Sequence, residues 1–128
     1  MIDEAVRNLS FKFRQLDIKS LNISDDSKNY LLKYRGSFQF YMSMYSQLMA
    51  KALNKLNKPI GESTFIDYGG GSGLLSFLAK EIGFRTVIYN DLNKTRVSEA
   101  AIISKEIGCI IDHFVNGDIE DLIIDLDQ

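Results

Sequence analysis

The residues best placed to do chemistry here are Asp67-Tyr68-Gly69-Gly70-Gly71-Ser72-Gly73. They follow a short apolar run, Thr64-Phe65-Ile66, and precede the helical pattern that starts at Leu74. Glycines in such a turn reach backbone angles closed to other residues, and without a Cβ they let a ligand approach the main chain. The helix behind the turn begins with N–H groups that have no partner within the helix. In an open α/β sheet, ligands bind at the carboxyl ends of the strands. The plainer reading is an ordinary turn with a helix-capping carboxylate. Spacing narrows the choice. The dinucleotide fingerprint is G-x-G-x-x-G, and from Gly69 this chain gives Gly69-x-Gly71-x-x-Leu74, without the last glycine. It offers instead an acid followed by alternate glycines: Asp67, Gly69, Gly71, Gly73. A carboxylate at Asp67 suits a pyrophosphate poorly and an ammonium well.

Two more carboxylates stand in register with this turn. Asp91 lies 22 residues after Gly69, at the end of a second apolar run, Thr86-Val87-Ile88-Tyr89-Asn90. A carboxylate there can accept hydrogen bonds from both ribose hydroxyls. An isolated Asp before a helix is more often a cap, and the glycine turn reverses that balance. Gly117-Asp118-Ile119 follows a third run, and the acidic stretch from Asp118 to Asp121 also reads as plain loop.

The elements that must position these groups are legible in the apolar periodicity. Thr64–Tyr68, Thr86–Asn90 and Cys109–Val115 read as strands. Between them, Leu74–Ile82 and the stretch after Asn93 read as helices, ended by Gly83 and Gly108. They close alike, as Lys-Glu-Ile-Gly, 25 residues apart. Strand and helix in alternation predict a parallel sheet with right-handed crossovers, a β-α-β-α-β half of a doubly wound fold. Before Pro59 the period is helical. Phe38, Tyr41, Met42, Tyr45, Leu48, Met49, Ala52, Leu53 and Leu56 form one stripe. A shorter helix from Ser24 is expected to turn Tyr30, Leu31 and Tyr34 inward, and residues 2–16 read as a weaker one. The expected organisation is a helical extension or lid over 1–60 and an α/β half-domain over 61–128.

Asp67 with Gly69, Gly71 and Gly73, then Asp91-Leu92, then Asp118-Ile119, resembles the cofactor site of class I S-adenosylmethionine-dependent methyltransferases. The resemblance covers residues 64–119, under half of the chain. It implies a Rossmann-like sheet and S-adenosylmethionine as cofactor. Asp67 would face the methionine ammonium, directly or through water. Asp91 would hold the ribose, and Leu92 would pack on adenine. Asp118 would accept from the adenine amine, with the Ile119 N–H against the ring. The helices before Pro59 would lie over the cofactor edge, with Arg35 either pairing with its carboxylate or simply solvated. The resemblance does not identify the methyl acceptor, and no catalytic base is assigned.

Composition sets outer limits. Of the 128 residues, 45% are hydrophobic and 25% charged, a usual globular mix. No apolar run approaches a membrane span. The lone Cys109 excludes an internal disulfide. With the acidic, polar start Met1-Ile2-Asp3-Glu4, it leads us to expect the cytoplasm. Cys109 and His113 are read as structural. Residues 1–64 hold ten Lys/Arg and six Asp/Glu, and residues 65–128 hold five and eleven. No dense basic patch marks a nucleic-acid binder. Three parallel strands leave the first strand's edge unpaired. We therefore expect the N-terminal portion of a longer methyltransferase, or a small protein whose edge is covered by an identical partner. The alternatives are a non-catalytic S-adenosylmethionine-binding or interaction module, and a nicotinamide or flavin domain, which Asp67 and the missing glycine disfavour.

Overall fold

The structure, a computed structural model, describes residues 1–118. Helices α1 (Ile2–Arg14), α2 (Asp25–Gly36) and α3 (Phe38–Asn54) precede an alternation of β1 (Thr64–Tyr68), α4 (Leu74–Ile82), β2 (Thr86–Asp91), α5 (Lys94–Ile107) and β3 (His113–Asn116). The strands form one parallel sheet in the order β1-β2-β3. Thr64 pairs with Thr86 and Ile88 with His113. No helix among the described residues is long and apolar enough to cross a membrane.

The central strand shows why the sheet holds. Val87, Ile88, Tyr89 and Asn90 are all buried, so both faces of β2 are covered. α4 packs on β1 and β2, and α5 on β2 and β3. The helix ends follow their local chemistry. Asn93 caps α5 by accepting from the N–H groups of Thr95 and Arg96 at 2.9 and 3.2 Å. Gly108 ends it in the left-handed region that glycine reaches without strain. The last strand starts later than its apolar run suggested. Cys109 to Asp112 form a connection in which Asp112 Oδ2 accepts from the Val87 N–H at 2.8 Å and from Lys80 at 2.7 Å. The chain therefore pairs with β2 only from His113 onward.

The N-terminal helices share one core with the sheet. Leu9 and Phe13 of α1, Leu31 of α2, and Met42 and Met49 of α3 join Phe77, Leu78 and Ile103. α1 packs on α4, and the Lys12 ammonium reaches Glu81 there. Tyr30 and Leu48, expected inside, are 44% and 51% exposed. Both sit at the margin of a helix face whose centre, Leu31 or Met49, is already filled. Arg35 is tied to its own chain rather than simply solvated. Its guanidinium lies over the Phe13 ring and donates to the carbonyls of Phe13, at 2.9 Å, and Leu16. It ties α2 to the chain just where α1 ends.

One buried carboxylate ties the two halves together. Glu99 of α5 accepts from the Ser24 N–H at 2.7 Å and the Ser27 hydroxyl at 2.9 Å. Ser24 is itself the N-cap of α2, accepting from the Ser27 N–H at 3.2 Å. Glu99→Ala leaves both donors without their acceptor and is expected to cost about 1–3 kcal/mol of stability. Urea unfolding of the variant measures that loss, and an unchanged midpoint would show that the tie contributes nothing.

Candidate cofactor site

The glycine turn is built from beneath. Tyr89 of β2 lies under it, fully buried, and its hydroxyl donates to the Gly71 carbonyl. The Gly70 N–H donates to the Asn90 carbonyl at 2.9 Å. A Cβ on Gly70 would stand 2.4 Å from the Tyr89 ring and 3.1 Å from Asp67 Oδ2, so this position has no room for a side chain. Gly69 and Gly71 differ. Both have positive φ, +70° and +58°, and a Cβ on either would meet no protein atom within 4 Å. The inner side of the turn is packed and its outer side is open. Gly73, with φ +93°, starts α4 without a side-chain cap.

Asp67 is 5% exposed at the end of β1. The Ser76 hydroxyl donates to its Oδ2 at 2.6 Å, and the Ser76 N–H adds a second bond. Burial raises its pKa above the ordinary carboxylate value, against those two bonds, and the charge of Asp91 adds to the rise. Among the described residues no cation pairs with Asp67; the two ion pairs, Lys12–Glu81 and Lys80–Asp112, lie elsewhere.

Asp91 joins the turn to the next helix. Its Oδ2 accepts from the Gly71 N–H at 3.1 Å and its Oδ1 from the Asn93 N–H at 2.8 Å. Each oxygen keeps a second lone pair for a further donor. Leu92, next along, is 67% exposed. Its main chain is clamped, because the Asn116 amide donates to the Asp91 and Leu92 carbonyls at 3.1 and 2.9 Å. An apolar side chain held outward on a fixed backbone is a ready surface for a flat ring. Asp118 lies past the end of β3, and Ile119 falls outside the described residues.

The structure thus brings Asp67, Gly69, Gly71, Gly73, Asp91 and Leu92 to one end of the sheet. It adds groups that spacing did not reveal. Asn90 is fully buried and donates to the carbonyls of Val115 and Gly117, at 3.2 and 3.0 Å, fixing the third loop to the second. Its Oδ1 has no hydrogen-bond partner among the described residues. Tyr89, Asn90 and Ser76 were read as ordinary strand and helix residues. Asn90, an amide among β-branched neighbours, carried the one available signal. From above comes α3. Tyr45 has its pKa raised by burial first, and then by the charges of Tyr34, Asp67 and Tyr41. The Tyr41 ring lies 4.7 Å from Tyr34 and 6.4 Å from Tyr45, centre to centre. His113 is exposed at the start of β3. Cys109 is buried, and that burial pushes its thiol up to about 12, so it stays protonated and inert.

Compared with models of known protein families, with curated proteins and with solved structures, the chain matches none of them.

Two predictions test this geometry. Asp67 holds its proton to higher pH in the folded chain than in the unfolded one. Its contribution is therefore fully present in acid and is lost as pH rises through its raised pKa. Asp67→Asn removes that loss, so thermal unfolding scanned against pH should show the variant gaining on the parent as pH rises, with the curves converging in acid. Equal pH dependence would mean that Asp67 is not strained by burial. In the turn, Gly71→Ala should cost about 1–2 kcal/mol, the strain of a left-handed alanine. Gly70→Ala should cost more, because the Tyr89 ring must also move. Denaturant midpoints of the two variants give the order.

Proposed function

We propose that the chain binds S-adenosylmethionine and is the cofactor-binding part of a methyltransferase of the Rossmann-like class. One observation carries the reading. A buried carboxylate, with no partner cation among the described residues, stands beside a glycine turn whose outer face is open. Burying a charge is costly unless it is paired, and a ligand ammonium would supply the pair. Asp91 adds a second negative charge to the same region. Asp67 beside the turn favours a cationic group over a pyrophosphate, which with the missing third glycine separates this reading from a nicotinamide or flavin domain.

Asp67 would hold the methionine ammonium, and Asp91 the ribose hydroxyls. Leu92 would cover the adenine, with Asp118 and Ile119 at its far edge. When bound, the cofactor supplies an electrophilic methyl group for in-line displacement. The part left to this chain is orientation, the component of catalysis that a fixed backbone turn serves best. The methyl acceptor and any general base are not assigned. A non-catalytic binding module would use the same residues.

Calorimetric titration with S-adenosylhomocysteine, with NAD as control, tests the cofactor. Binding of the first alone is the expected result, and binding of NAD alone overturns the reading. Asp91→Ala should weaken S-adenosylhomocysteine by about 1–3 kcal/mol, the range for a lost charged hydrogen-bond partner. An unchanged affinity removes Asp91 from the ribose.

A further inference from the structure

A groove runs between α1 and the start of α3, away from the glycine turn. Two adjoining cavities of about 470 and 370 Å³ make it up, and they share Ser10, Arg14 and Gln39. Arg7 and Phe11 line the first cavity, Arg35 and Phe40 the second. Arg7, Phe11 and Arg14 are spaced i, i+4, i+7, so one face of α1 presents cation, ring and cation in turn. The two arginines stand about 10 Å apart along the axis.

Three features of this groove lack an explanation in folding. Phe11 and Phe40 are 66% and 68% exposed, among the most exposed rings of the chain, and both line it. Among the described residues Arg7 and Arg14 have no carboxylate partner, and the Arg14 guanidinium donates to the Ser10 hydroxyl at 3.1 Å. Asp3 is the one acidic residue along the lining.

We propose that this groove binds phosphate-linked bases, as a nucleotide or as a short single-stranded nucleic acid. The arginines would take the phosphates, and Phe11 and Phe40 would stack on the bases. A positive groove with exposed rings is the general form of single-strand recognition, because every base has a face to stack and every linkage a charge. An apolar ligand would not need the arginines, and a bare anion would not need the rings. Arg7 and Arg14 share one face of α1, and Arg35 of α2 is held at the end of that helix by the Phe13 and Leu16 carbonyls. The proposal is independent of the cofactor reading and survives its failure.

Fluorescence anisotropy with a labelled short single-stranded RNA of mixed sequence, competed by AMP and by polyaspartate, tests it. Phe11→Ala and Arg14→Gln change exposed side chains, so circular dichroism should report an intact fold for both. Each variant should weaken RNA binding about tenfold, within the range for a lost base stack. Arg14→Gln alone should also flatten the salt dependence, by about 0.7 in the log–log slope. Competition by AMP at comparable concentration would identify a free nucleotide as the ligand. Competition by RNA alone would identify a strand. Equal competition by polyaspartate, absence of RNA and AMP binding, or unchanged affinity in both variants would each overturn the proposal.

Discussion

The buried Tyr89 ring sets the shape of everything at the carboxyl end of the sheet. It fills the space in which a side chain at position 70 would stand, so the turn above it must be glycine there. Its hydroxyl then holds the Gly71 carbonyl, which turns the opposite edge of the loop outward. Burial, with the charges of Asp91 and Asp67, raises the phenol pKa, so the group remains a donor at any ordinary pH. The flanking glycines at positive φ follow from this anchor, because the chain must rise over the ring and drop into α4 within a few residues.

A set of polar cross-links spreads from that anchor. Asp91 joins the first loop to the second, and Asn90 and Asn116 join the second to the third. The three loops are therefore one unit, and a ligand touching one of them meets a surface whose other parts are already placed. Such preorganisation lowers the ordering cost of binding. Burial of Asp67 is the opposing term, since it disfavours the charged form of the carboxylate. Functional sites often keep a local cost of this kind.

Much of this was legible in the sequence. The strand–turn–helix order, the positions of Gly69, Gly71 and Gly73, the Asn93 cap and the stop at Gly108 each rest on local chemistry that a few neighbouring residues decide. What escaped was non-local. Arg35 gave no sign that it would reach the end of α1, because its acceptors are 19 and 22 residues away. Tyr30 and Leu48 fit the helical period, yet periodicity marks a face without saying how wide the contact is. The late start of β3 depends on Asp112 reaching the Val87 N–H, a pairing 25 residues apart. Arg7 and Arg14 share a helix face that the sequence shows, but that Arg35 and Phe40 come to it depends on contacts 19 residues away or more.

The Glu99 tie has a consequence for the order of assembly. Its partners on α2 precede it by 72 and 75 residues. At about 5–20 residues per second of synthesis, α1 and α2 leave the ribosome roughly 4–15 s before α5 exists to receive them. In that interval α3, β1, α4 and β2 are made, so α1 gains its partners α3 and α4 before α5 arrives. The carboxylate of Glu99 can close the link to α2 only after the second βα unit is made.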